Sequence, residues 1–135
     1  MRSALELQKT VHAALLGHAP LVARLGGSRV HDHAPARLDF PYLTLGRVSI
    51  ADHSTSTETG EEFLLTVNVW SQAKGKRETY EIAALARAAL DDAPLAVAGQ
   101  SLSMFRFEAL EVRFDASAGV HHGALRFRAV TEPQP

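Results

Sequence analysis

Apolar and polar residues alternate from residue 62 to residue 70. Phe63, Leu65, Val67 and Val69 share one side of an extended chain, and Leu64, Thr66, Asn68 and Trp70 share the other. Successive strand side chains point to opposite faces, so this period of two predicts a strand with the first set in the core. The preceding run, FPYLTLGRVSI, is also strand-like but changes parity: Leu43 and Leu45 fall on one side, Val48 and Ile50 on the other. Either Gly46 hosts a bulge at the switch, or this strand is buried on both faces. Residues 52–60, between the two runs, are rich in Ser, Thr and His and end in glycine, a composition that favours a turn over a ladder. It holds little apolar surface, so the turn is expected to project from the domain and to be mobile.

A helical period opens the chain. Leu7, Val11, Ala14 and Leu15 build one apolar stripe. Ser3 and Glu6 fit a capping box at its start, and Gly17 a stop at its end. Pro20 predicts a second short helix over residues 21–25, closed by Gly26 and Gly27. Residues 29–33 read as a short extended segment, and Pro35 and Pro41 frame a loop. After a polar link, residues 78–90 predict the strongest helix, with Ile82, Leu85, Ala86, Ala89 and Leu90 on one face. The run DDAP ends it, and residues 95–97 read as a short strand. Residues 102–114 predict a long strand with a second parity change, from Phe105 and Phe107 to Leu110, Val112 and Phe114. Residues 115–119 form a turn. Residues 120–130 return with Leu125, Phe127 and Ala129 on one face and Arg126 and Arg128 on the other. Together these elements predict one α+β domain over residues 1–135. Its mixed or antiparallel sheet has long hairpins and is packed by an N-terminal helix and one central helix.

Composition narrows the chemistry. Fourteen basic and 15 acidic side chains give a formal charge of −1, unlike the strongly basic surface of a general nucleic-acid binder. A ring through which DNA merely passes remains compatible with that balance. Without cysteine there is no disulfide, thiolate catalysis or Cys-type zinc site. No apolar run approaches the roughly 18 residues of a membrane span. Glu6, Gln8, Lys9 and His12 interrupt the N-terminal apolar run, so no secretory leader is read there and a cytoplasmic product is expected.

Several clusters bear on function. His31 and His33 alternate on an extended segment, and with His121 or His122 they offer ligands for a small histidine-dependent metal-binding protein or hydrolase. Their ordinary reading is as histidines of turns and strand ends, since neither H-E-x-x-H nor another fixed spacing ties the clusters together. Asp52 and His53 lie beside loop hydroxyls, but no G-x-S-x-G elbow is present. No Walker or dinucleotide-binding glycine pattern occurs. The acidic residues Asp52, Glu58, Glu61 and Glu62, with Thr59 and Gly60, mark either a solvated turn or a surface that docks a partner or repels a polyanion. Arg126 and Arg128, joined by Arg106 and Arg113 if they lie across the hairpin, form either an intersubunit salt-bridge stripe or a solvated face.

The stretches LQKTVHAALLG, RVHDHAP, FPYLTLG, TETGEEFLLTVNVWS, IAALARAAL and GALRFRAVTEP occur in this order over nearly the whole chain. In this they resemble the small tail-completion or tail-terminator proteins of long-tailed phages and phage-like gene transfer agents, nearest to the alphaproteobacterial gene transfer agent branch. The resemblance implies an α+β sheet with helices on one face. It implies a homo-oligomeric, hexameric ring on the head-proximal end of a tail tube, in a phage-like particle. Such a ring stops tube polymerisation and contacts the tail tube protein and a head-side stopper or adaptor, while DNA passes through without specific binding. It further implies no enzyme activity, no cofactor, no metal and no membrane association. The expected interface residues are Asp52, Glu58, Thr59, Gly60, Glu61, Glu62, Arg126 and Arg128.

Overall fold

The computed structural model describes residues 2–34, 37, 39–57, 59–92 and 94–133. Helices α1 (Arg2–Leu16) and α2 (Ala19–Leu25) precede strands β1 (Val30–His31), β2 (Tyr42–Asp52) and β3 (Glu61–Ser71). Helix α3 (Arg77–Asp92) and the hairpin of β4 (Gln100–Asp115) and β5 (Val120–Pro133) complete the chain. The five strands form one sheet in the order β1-β2-β3-β5-β4. The β1–β2 pair is parallel and the others are antiparallel, so the sheet is mixed and the domain is α+β.

The period-two pattern of β3 works as expected. Phe63, Leu65, Val67 and Val69 are buried, whereas Leu64 on the opposite face is 47% exposed. Leu125, Phe127 and Ala129 of β5 are buried beside them. The helices cover this one face. Leu7, Val11 and Leu15 of α1, Leu21 and Leu25 of α2, and Ile82, Ala86, Ala89 and Leu90 of α3 enter the same core. Helix α2 begins with a proline in its first turn and ends at Gly26, whose φ of 83° is left-handed. The Gly26 and Gly27 amides return to the Val22 carbonyl at 3.0 and 3.1 Å, which satisfies a helix-end acceptor.

Both predicted parity changes are bulges. Leu45 lies opposite Val67 and Val48 opposite Leu65, so Gly46 and Arg47 together face Thr66. Phe107 lies opposite Phe127 and Ala109 opposite Arg126, which leaves Glu108 as the extra residue. Each bulge returns the apolar series to the helix-covered face. A third, at Ser103, lets Leu102 and Phe105, of opposite parity, both pack on the core. Phe105 and Phe107, two residues apart on a regular stretch of β4, both pack on Phe127 at centroid distances of 5.4 and 5.8 Å.

Three local expectations differ. Ser3 is not an N-cap: it lies within the first turn of α1, and its hydroxyl donates to the Glu61 carboxylate on β3. The hydroxyl thus donates to a distant carboxylate instead of accepting from a local amide, and Glu6 meets Lys9 at 3.6 Å. Residues 95–97 are not a strand. Val97 is buried in the core and the Ala96 carbonyl accepts from the Thr10 hydroxyl at 2.8 Å, so this segment packs on α1 rather than joining the sheet. The extended segment of residues 29–33 is a strand only at Val30–His31. Pro35 lies outside the described residues.

Phe127 sits at the centre of the aromatic cluster and is fully buried. Phe127→Ala is expected to cost about 3–5 kcal/mol, the transfer and cavity terms together. Urea unfolding at fixed m-value measures this; an unchanged midpoint would contradict the assigned strand phase.

Candidate functional site

The sheet face away from the helices is bare. Its middle is a trough of about 700 Å³ whose lining includes Arg47, Glu111, Arg113, His122 and Arg126. The register places Arg106, Arg126 and Arg128 on this face, with Arg106 directly opposite Arg128 and Arg113 opposite His122. Arg106 and Arg113 differ in sequence parity, yet the Glu108 bulge between them puts them on one side. The arginine stripe therefore exists. It is partly neutralised within the chain: Arg128 grips Glu62 at 2.5 and 2.9 Å, Arg126 meets Glu111 at 3.4 Å, and Arg106 meets Glu108 at 3.4 Å. Arg47 and Arg113 have no ion pair with a described residue. The trough thus retains uncompensated positive charge on a chain whose total is −1.

One end of this face is aromatic. Trp70 stacks on His122 at 4.2 Å with an interplanar angle of 8°, and Tyr42 stacks on Trp70 at 6.3 Å. The Trp70 indole donates to the Thr44 hydroxyl at 2.9 Å, and His122 Nε2 donates to the Asn68 side-chain oxygen at 2.7 Å. The Asn68 amide in turn lies against Gly46, where any Cβ would collide with it. The β2 bulge, the aromatic row and His122 are therefore packed as one unit. Burial depresses the His122 pKa, and the nearby Arg113 charge depresses it further.

The loop of residues 53–60 stands at the other end. Strand β3 is paired on both sides from its first residue, so the hairpin does not extend beyond the sheet and only this loop leaves it. The base is tightly tied. Asp52 accepts from the Ser54 amide and hydroxyl at 3.2 and 2.5 Å, and the His53 amide donates to the Gly60 carbonyl at 2.9 Å. Gly60 is buried, and a Cβ there would sit 3.1 Å from the His53 carbonyl and 3.2 Å from that of Thr131. Thr59 is exposed and, with Gly60 and Glu61, lines a recess beside the end of β5. The acidic residues do not form one surface. Glu61 turns to Ser3 on the helix side, Glu62 to Arg128 on the bare side, and Asp52 caps the loop. Glu58 lies outside the described residues.

The histidines are likewise dispersed. His31 is on edge strand β1 and His33 in the loop after it. His121 and His122, adjacent on β5, face opposite sides of the sheet: His121 lies beside Phe114, His122 on Trp70. Among the described residues no three His, Asp or Glu side chains are grouped as a metal site would require. Sequence reasoning missed Arg47 and the Trp70–His122 stack. The latter was signalled only by the shared polar-side parity of Asn68 and Trp70; nothing local marks Arg47 beyond its place in the bulge.

The helices cover one face of the sheet, and the other carries a charged and aromatic surface with no other element of the described chain over it. The chain belongs to the family described as Tail completion protein gp17, whose pattern matches residues 9–132, and is a structural protein of phage-type tails. Its fold is also similar to a chain in the solved structure titled "Virion of native gene transfer agent (GTA) particle". The two are 30% identical with a TM-score of 0.80, covering 96% of this chain and 97% of that one. Comparison with curated proteins gives no significant match.

His122 supplies a pH test. The unfolded ring takes up its proton near the ordinary value of 6.5, the folded ring only at lower pH. Stability from the neutral stacked ring is thus complete above 6.5 and is lost as pH falls through the folded value. Melting temperature should fall more steeply from pH 7 to pH 5 in the native protein than in His122→Phe, which keeps a stacking ring. Parallel profiles would contradict this role.

Proposed function

We propose that this protein is a tail terminator. Copies close into a ring, six to a turn, on the head-proximal end of a phage-type tail tube. The ring stops further addition of tube protein and gives the head-side stopper or adaptor a surface to join, with DNA passing through its centre. The observation that carries this reading is the bare sheet face. Its arginines outnumber its glutamates, and Arg47 and Arg113 await carboxylates that the described chain does not supply. A neighbouring copy covering that face would desolvate the half-buried Trp70 and His122 and pair these charges. The similarity to a chain of a gene transfer agent virion supports placement in such a particle. No enzymatic step is assigned.

The interface set adjusts to the geometry. Arg126 lines the subunit-facing trough, Arg128 lies on the same face and is positioned by Glu62, and Asp52, Thr59, Gly60 and Glu61 shape the loop that meets the tube or the connector. A closed ring suits heterologous contacts, because the patch that binds and the patch that is bound differ.

Replacing residues 53–60 by a two-residue glycine-bearing turn tests the loop's part. Strands β2 and β3 remain paired, so the variant should fold with native circular dichroism. It should fail to cap tails, and electron microscopy should then show overlong or headless tubes. Particles of normal length and yield would show that the loop is only solvated.

A further inference from the structure

At the sheet end away from the 53–60 loop lies a second concavity. It opens between residues 72–75, which follow β3, and the β4–β5 turn, and holds about 480 Å³. Phe114 forms one wall and is 53% exposed, so its ring is open to a partner. His121 lines the same space but is only 6% exposed, its ring 4.6 Å from that of Phe114. Of its two ring nitrogens, Nδ1 alone is sealed from solvent, and it meets no hydrogen-bond partner. A neutral imidazole carries one N–H, and placing it on Nε2 avoids a sealed donor with no acceptor. His121 then offers its single N–H where the ring reaches the concavity. Lys74 stands in the lining and Lys76 is exposed two residues on, and neither pairs with a described carboxylate.

We propose that this concavity is a docking socket for a segment of a partner protein that presents an apolar side chain beside a carboxylate. The apolar group packs on Phe114, and the carboxylate sits between the Lys74 ammonium and His121 Nε2–H. This inference rests on reading the chain as an assembly subunit, and names the chemistry by which one partner is held. The lining favours protein over nucleic acid: phosphates on a convex duplex supply charge but no apolar group to cover Phe114. Strand β3 has 11 residues, so the socket and the 53–60 loop lie on the order of 35 Å apart. One subunit therefore has separate contact points at its two ends.

The probes are two blocked dipeptides, N-acetyl-leucyl-aspartyl amide and its asparaginyl counterpart, titrated into the folded full chain and followed by the NMR signals of the Phe114 and His121 rings. Saturable shifts are expected with the aspartyl peptide. Binding should weaken by about fivefold or more with the asparaginyl peptide or in Lys74→Glu, the loss expected for one charge-assisted bond. Absent shifts, or equal shifts with both peptides, would overturn the proposal. So would tighter displacement by a duplex oligonucleotide, which would assign the site to DNA. In a particle-producing host, Phe114→Ser and Lys74→Glu, both at exposed positions, should give rings of normal mass but several-fold fewer joined particles. Normal particle yield from both would also overturn it. If the unaltered protein forms no ring, the terminator reading fails while the peptide titration still decides the socket.

Discussion

Strand β3 is held on both sides at once, and the rest of the fold is set by that. Its 11 residues pair with β5 along their whole length and with β2 on the other edge. Its alternation sends Phe63, Leu65, Val67 and Val69 to one face only. All three helices bury their stripes against that face, because no other large apolar surface is offered. Strand β2, which pairs with β3, and strand β4, which pairs with β5, must keep their own apolar residues on that same face. They do so through bulges at Gly46–Arg47 and at Glu108, each of which slips the chain by one residue.

The same constraint creates the functional surface. A sheet with one apolar face leaves a second face that is polar and uncovered. Here that face is neither blank nor uniformly solvated. Glu62 and Arg128, Glu111 and Arg126, and Glu108 and Arg106 pair across or along strands, which rigidifies the arginine row at small energetic gain for such exposed pairs. Trp70, His122 and Tyr42 are stacked in place. Prearranged side chains lose less entropy on association than free ones, so this face is suited to binding a protein surface. The chain belongs to the tail completion family, and under the proposed reading this face is the one a neighbouring copy covers.

Much of the fold was legible because its signals are periodic. The β3 core set, the stripe of α1, the face of α3 and both parity changes follow from counting apolar positions. Gly26 and Pro20 mark helix ends by backbone chemistry alone. What failed depended on distant partners. Ser3 and Glu6 have capping-box spacing, yet a carboxylate 58 positions away takes the Ser3 hydroxyl. Residues 95–97 have strand-like composition, yet α1 claims them. The acidic cluster looked like one surface because its members are near in sequence; adjacent strand residues face opposite ways, so Glu61 and Glu62 serve different partners. The arginine stripe was visible in Arg126 and Arg128. Its completion by Arg47 required knowing which two residues the bulge holds on the bare side.

The central claim is that the bare sheet face is the contact between copies. Its most direct test is the mass of the assembled protein measured by native mass spectrometry, for the unaltered chain and for the double variant Arg47→Glu, Arg113→Glu. These side chains are unpaired in the described structure, so the variant should keep its fold and melting temperature. The account predicts a hexamer for the unaltered protein and a monomer for the variant. A hexamer of equal abundance in both would contradict it, and would place the subunit contact elsewhere on the fold.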